Sequence, residues 1–198
     1  MGPEEMDIEG LMDPNSDTLT KEQSYSLESS LWSLFHMLLV ALLLAGVFMF
    51  FVRASLVRGS SMEPTLWDGD CILVQMMGYK EPLPGDIVAI KAKDRAGKHL
   101  VKRIIATGGD TVQIDFEAGA VFVNGQRLEE PYVQEATHLS GDIAFPVTVP
   151  EGCCFVLGDN RNHSQDSRSS VLGFVPREDI EGKVFFRFAP LERFGAIG

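Results

Sequence analysis

Two residues in this 198-residue chain stand in settings that would change their ordinary chemistry, and a third segment could hold them in place. The first is a lysine. The run from His99 to Thr107, HLVKRIIAT, alternates as a strand does, with Leu100, Lys102, Ile104 and Ala106 on one face and Val101, Arg103 and Ile105 on the other. Each face therefore carries one base among apolar residues. If one face is solvated its base is merely exposed, but a sheet packed on both sides leaves no such outlet. A lysine sharing an apolar face with Leu100 and Ile104 loses hydration, which disfavours the ammonium and lets the amine accept a proton near neutral pH.

The second is a serine in Arg58–Asp70, RGSSMEPTLWDGD. Pro64 is suited to open a short helical turn whose free N–H groups point back toward Ser61, and a hydroxyl there would lie beside donors able to hold an oxyanion. The same residues also read as a plain capped turn, because serine is a favoured cap. A nucleophilic serine needs a base, and no histidine has a comparable setting: His99 and His138 flank strands and His163 lies in a loop. The third segment, Gly158–Arg168 (GDNRNHSQDSR), is a polar run directly after the apolar CCFVL. It is either a solvated loop or a hydrogen-bonded platform, with Asp166 and Arg168 able to pair and Ser164 able to orient a neighbour.

The elements that must position these residues are short and β-like. Strands are expected at 71–76, 86–92, 99–107, 110–115, 120–128, 144–149, 153–158 and 182–188, separated by Gly and Pro. Asn124-Gly125 between apolar runs is a strong two-residue hairpin signal. No long amphipathic helix and no repeat follows residue 52, so the body is expected to be mainly β, largely antiparallel, with one core.

Composition divides the chain into three parts. Residues 1–30 hold eight acids and one base, Lys21, and so supply most of the net charge of −11. With Pro14 and little apolar periodicity, this tail is expected to be disordered. Residues 31–52 carry no Asp, Glu, Lys or Arg, and as a helix these 22 residues would measure roughly 33 Å against a hydrocarbon core of roughly 30 Å. An acidic leader and this length fit neither a cleaved signal sequence nor a buried core helix, which would show a polar stripe, so a transmembrane helix is expected. Residues 53–198 are nearly balanced in charge, with 20 acids and 16 bases, and contain no basic block, which argues against nucleic-acid binding. The three cysteines cannot make a disulfide framework, and neither Cys153 nor Cys154 could bridge to anything but Cys71. No metal-ligand spacing appears, and no cofactor is implied. Arg53 and Arg58 after the span, against Lys21 before it, would by charge alone place the body in the cytoplasm.

The ordered series Ser61-Met62-Glu63-Pro64-Thr65-Leu66, Gly69-Asp70, Gly85-Asp86-Ile87-Val88, Lys102-Arg103-Ile104-Ile105, Gly109-Asp110-Thr111-Val112, Gly158-Asp159-Asn160-Arg161 with Ser164, Asp166, Ser167 and Arg168, and Gly173-Phe174-Val175-Pro176 closely resembles bacterial type I signal peptidase. The match runs from about Val57 to Val184 and is specific because several motifs fall in order. The resemblance implies a transmembrane helix followed by an antiparallel β-sheet catalytic domain of the signal-peptidase type. It implies a membrane-bound serine endopeptidase, single-pass in the bacterial cytoplasmic (inner) membrane, that removes signal peptides from exported precursors on the extracytoplasmic side. On that resemblance Ser61 is the nucleophile, with its own N–H as one oxyanion donor. Lys102 is the general base and Ser164 the residue that hydrogen-bonds and orients it. Asp166 and Arg168 form a structural ion pair, and Asp159 is a supporting carboxylate. The family's preference for small residues before the cut, as in Ala-x-Ala, would place shallow apolar pockets at Val57, Leu66 and Val101. Partners are then signal-peptide-bearing precursors and membrane lipid.

The chain departs from the pattern in three places. Gly59 stands where some members carry a serine that helps bind the oxyanion, Asn162 and His163 stand where Asp and Asn are common, and the stretch between the lysine and the loop motif is too short for a large accessory domain. Two other readings compete. Self-cleaving repressors use a Ser/Lys pair on a related β-fold, but they act in the cytoplasm and carry a DNA-binding part. A tethered β-domain that binds peptides without cutting them would need neither Ser61 nor Lys102.

Overall fold

A computed structural model of the chain describes residues 16–91 and 99–197, in two compact units divided between Phe48 and Met49. The first unit is most of one helix, α1 (Ser16–Phe51), 36 residues long. Its segment Ser30–Phe51 has a mean hydropathy of 2.6 and is long and apolar enough to cross a membrane. Leu31, Met37, Leu43 and Met49 are all exposed, so the apolar surface is not confined to one stripe. The helix is also longer than the sequence reading: it begins at Ser16, within the tail expected to be disordered, and ends at Phe51 because Val52 opens a strand. Extending a helix costs far less than nucleating one, so the apolar run can carry its polar flank with it. Residues 1–15 of the expected tail lie outside the described residues.

The second unit is mainly β. Its strands are β1 (Val52–Leu56), β2 (Cys71–Gln75), β3 (Ile87–Lys91), β4 (His99–Thr107), β5 (Thr111–Asp115), β6 (Ala120–Val123), β7 (Gln126–Arg127), β8 (Val147–Thr148), β9 (Cys153–Leu157), β10 (Val175–Pro176), β11 (Ile180–Ala189) and β12 (Gly195–Ala196). The larger sheet runs β1-β2-β11-β3-β4-β9-β10, with β12 also on β11, and the smaller runs β7-β6-β5-β8. Every pairing is antiparallel.

The apolar side chains of the larger sheet sort by parity. On one face Val88 and Ile90 of β3 join Ile104, Cys154 and Val156. On the other, Ile87 and Ala89 join Val57, Met62, Leu66 and Ile72 in one cluster, while Phe155 and Leu157 join Val112, Ile114 and Val121 of the smaller sheet in another. Both faces are thus packed, and β4 has no solvated side at its centre: Lys102 and Arg103 are 2% and 3% exposed. The alternation expected along β4 fails at Ala106, which lies with Ile105 in the cluster against the smaller sheet. The β4–β9 register shifts between Ile104 and Ala106, and a bulge there turns two successive side chains to one side.

Candidate active site

The segment carrying Ser61 leaves the sheet after β1 and returns at β2, closed at its neck by Val57 N–H to Asp70 C=O (2.8 Å) and Gly69 N–H to Val57 C=O (3.0 Å). Met62 and Leu66, 1% and 0% exposed, root it in the core. Leu66 N–H donates to Met62 C=O (2.9 Å), so the turn expected around Pro64 is a single α-turn from which no helix continues. Gly59, at φ +88°, donates its N–H to Asp68 Oδ1 (2.7 Å). Ser61 is held from the far side, its carbonyl accepting from Asn160 N–H (3.1 Å).

Lys102 lies opposite Val88 in the β3–β4 register, and its Nζ donates to Ser61 Oγ at 2.6 Å. A buried amine in contact with a hydroxyl, with no histidine beside it, is an arrangement that can activate a nucleophile. The pair opens on a cleft of about 660 Å³ lined also by Val57, Met62, Ile72, Ala89 and Val101. Val57 and Val101, two of the three residues at which small-residue pockets were expected, line this cleft. Leu66 does not: it is wholly buried beneath the turn, where it anchors the backbone instead of facing the cleft. The rim holds His99, whose Nδ1 lies 2.6 Å from Glu181 Oε2.

Next to Lys102, Arg103 makes a two-pronged pair with Asp159, Nε to Oδ1 and Nη2 to Oδ2 both at 2.8 Å, and Nη1 donates to Gly85 C=O (2.9 Å). Asp159 also accepts from Thr65 Oγ1 (2.5 Å), four residues after Ser61. One carboxylate therefore joins the lysine strand to the serine turn. Asp166 and Arg168 pair as expected, Nε to Oδ1 at 2.8 Å and Nη2 to Oδ2 at 2.9 Å, and Asp166 also takes the Gly158 N–H (3.1 Å).

Ser164 does not hydrogen-bond Lys102. Its buried Oγ has no hydrogen-bond partner among the described residues, and it lies close against Gly158: a Cβ there would lie 2.2 Å from Ser164 Oγ and 2.4 Å from the Ser61 carbonyl. Glycine at 158 is what lets both approach. Cys71, Cys153 and Cys154 are all free. Among the described residues, no three His, Cys, Asp or Glu side chains converge as metal ligands would.

Comparison with known proteins adds independent observations. A model of the family described as signal peptidase, peptidase S26, matches residues 31–189. The chain belongs to the S26 signal peptidase family. It is 38% identical to a probable signal peptidase I-1 of Synechocystis (82% of this chain, 84% of that protein) and 38% identical to a signal peptidase I of Bacillus licheniformis (87% and 96%). It is also similar to a solved signal peptidase I from Enterococcus faecalis V583, 33% identical with a TM-score of 0.44 over 52% of this chain and 97% of that one.

Glu130 and Tyr132 lie in none of the quoted motifs, and Thr65 lies in the serine motif without a role of its own there. The Cζ of Arg103 sits 3.9 Å from the centroid of the Tyr132 ring. Burial, then the Glu130 carboxylate, push the Tyr132 phenol up to about 12. Glu130 grips Arg161 through both oxygens, at 2.6 and 2.9 Å. Burial opposes the Arg161 charge, but this pairing outweighs it and raises the guanidinium pKa above its usual value. Glu130 and Tyr132 sit in an irregular segment without periodicity, so only their proximity to Arg103 and Arg161 in the fold reveals them.

Proposed function

We propose that Ser61 is the nucleophile and Lys102 the general base with which this serine endopeptidase removes signal peptides from precursor proteins. The observation that carries the reading is the 2.6 Å contact between Lys102 Nζ and Ser61 Oγ at a cleft lined by Val57 and Val101. Burial favours the neutral amine. It takes the Ser61 proton as the hydroxyl attacks the scissile carbonyl, returns a proton to the leaving amine, and then activates the water that releases the acyl-enzyme. Ser61 N–H, which makes no hydrogen bond among the described residues, is one oxyanion donor. Asp159 and the Asp166–Arg168 pair hold the scaffold, and Ser164 borders the dyad across Gly158. Residues 30–51 of α1 act as the tether in lipid, with the β unit outside the cytoplasmic membrane and the acidic tail inside.

Detergent-solubilised protein should cleave a precursor whose signal ends in Ala-x-Ala. Ser61→Ala and Lys102→Ala should each abolish cleavage, and undiminished turnover in either variant overturns the mechanism.

A further inference from the structure

We propose that Tyr132 is a positioning residue for the lysine, acting through Arg103; this rests on Lys102 being the base. The in-plane hydrogen bonds of the Arg103 guanidinium go to Asp159 and Gly85. They fix it within its own plane and leave its face uncovered. The Tyr132 ring, 3.9 Å from Cζ, supplies that face, and the attraction between a cation and a ring is greatest where water is excluded, as around a side chain 3% exposed. Arg103 adjoins Lys102, so out-of-plane play in the guanidinium becomes play in the strand that aims the amine at Ser61.

The ring is itself held. Tyr132 Oη donates to Glu130 Oε1 (3.1 Å), and Glu130 binds Arg161. Arg161 Nε in turn donates to Gly158 C=O (3.1 Å), beside the Asn160 N–H that meets the Ser61 carbonyl. Residues 130–132 therefore brace the lysine strand with one arm and the serine's contact loop with the other. A misplacement of about 1 Å in such a pair is enough to cost on the order of a hundred-fold in rate.

The test is single-turnover cleavage at saturating enzyme, where the limiting rate constant does not depend on the fraction folded, with KM taken from steady-state runs, on Tyr132→Phe, on the same position carrying 3,4,5-trifluorophenylalanine, and on Tyr132→Leu. The expected order is Phe somewhat below wild type, because it keeps the ring face but loses the Oη bond to Glu130, trifluorophenylalanine slower than Phe, and Leu slowest at about ten-fold below wild type, with KM within about two-fold throughout. The two ring variants keep the shape of the side chain and decide the matter even if Tyr132→Leu does not fold. Equal rates for Phe and its fluorinated analogue overturn the proposal, as does a loss expressed in KM alone, which would make Tyr132 a substrate contact. Lys102→Ala in the same assay separates the two readings: if it cleaves, the general-base assignment has failed, and if it is inactive while the ring series is flat, only the Tyr132 role has.

Discussion

At the scale of single residues, the site depends as much on an absent side chain as on those present. Gly158 lies where Ser164 Oγ and the Ser61 carbonyl converge, and a methyl group would overlap both. Relief would require the Ser61 turn to move away from β4, lengthening the 2.6 Å contact with Lys102. Gly158→Ala is therefore expected to lower kcat by about a hundred-fold or more while the protein still melts cooperatively; wild-type kcat would show that the loop yields without disturbing the dyad. Much of the site was visible in the chain. A lysine and an arginine on a strand otherwise apolar on both faces leave open whether one base is solvated, and the two-sided packing buries both, while Asp166 and Arg168 stand close enough in sequence to pair. Ser164 is different. Its neighbourhood followed from the motif, but which polar atoms come within reach of its hydroxyl is set by the three-dimensional packing of the loop, which the order of residue types does not encode.

At the scale of elements, Asp70 joins three pieces of chain far apart in sequence. It ends the serine segment just before β2, and its carboxylate accepts from Arg187 of β11 (3.1 Å) and from Arg193 near the C-terminus (2.7 Å), as well as from Trp67 N–H (2.9 Å). Burial pushes this carboxyl up, but the Trp67 N–H and the two arginines together pull harder, so its pKa lies below the usual value. Unfolded, the group titrates near 3.9; folded, lower. Its contribution to stability is thus complete above that unfolded value and disappears as pH falls through the folded one. Asp70→Asn should cost about 2 kcal/mol at neutral pH, less than a fully buried pair because Arg193 is 39% exposed, and the difference from wild type should shrink in melts below about pH 4. A gap that persists unchanged into acid would refute the ionic account. Elements with a clear period were legible: β2–β6, β9 and β11 fall on expected strands, and Asn124 and Gly125, at φ +52° and +78°, make the two-residue turn between β6 and β7. The strand expected at 144–149 shrinks to Val147–Thr148, because Pro146 offers no N–H to a ladder. β10 and β12 are two residues each, too short to show a period, and β1 follows α1 without a break, so the apolar run conceals the change from helix to strand.

At the scale of the whole molecule, the question is which side of the membrane holds the β unit, and two arguments disagree. The positive-inside tendency counts basic residues near the span. Arg53 and Arg58 follow it and Lys21 precedes it, which favours a cytoplasmic body. That tendency orients a helix through small differences in charge, and here it rests on three residues, one of them nine positions ahead of the apolar segment that begins at Ser30. The opposing argument is chemical: a peptidase that removes signal peptides must stand where the cut site emerges from the membrane, and the cleft beside Ser61 and Lys102 belongs to the β unit. The chemical requirement applies to every turnover, whereas the charge bias is marginal, so the body is expected outside and the tail inside. Protease added to intact cells, with any outer membrane opened, should then digest the β unit and leave a small membrane-embedded fragment that retains an epitope placed ahead of Ser16. Adding Lys or Arg before Ser30 should strengthen that orientation. Loss of the N-terminal epitope with the β unit intact would reverse the topology and require precursors to reach the dyad from the cytoplasm.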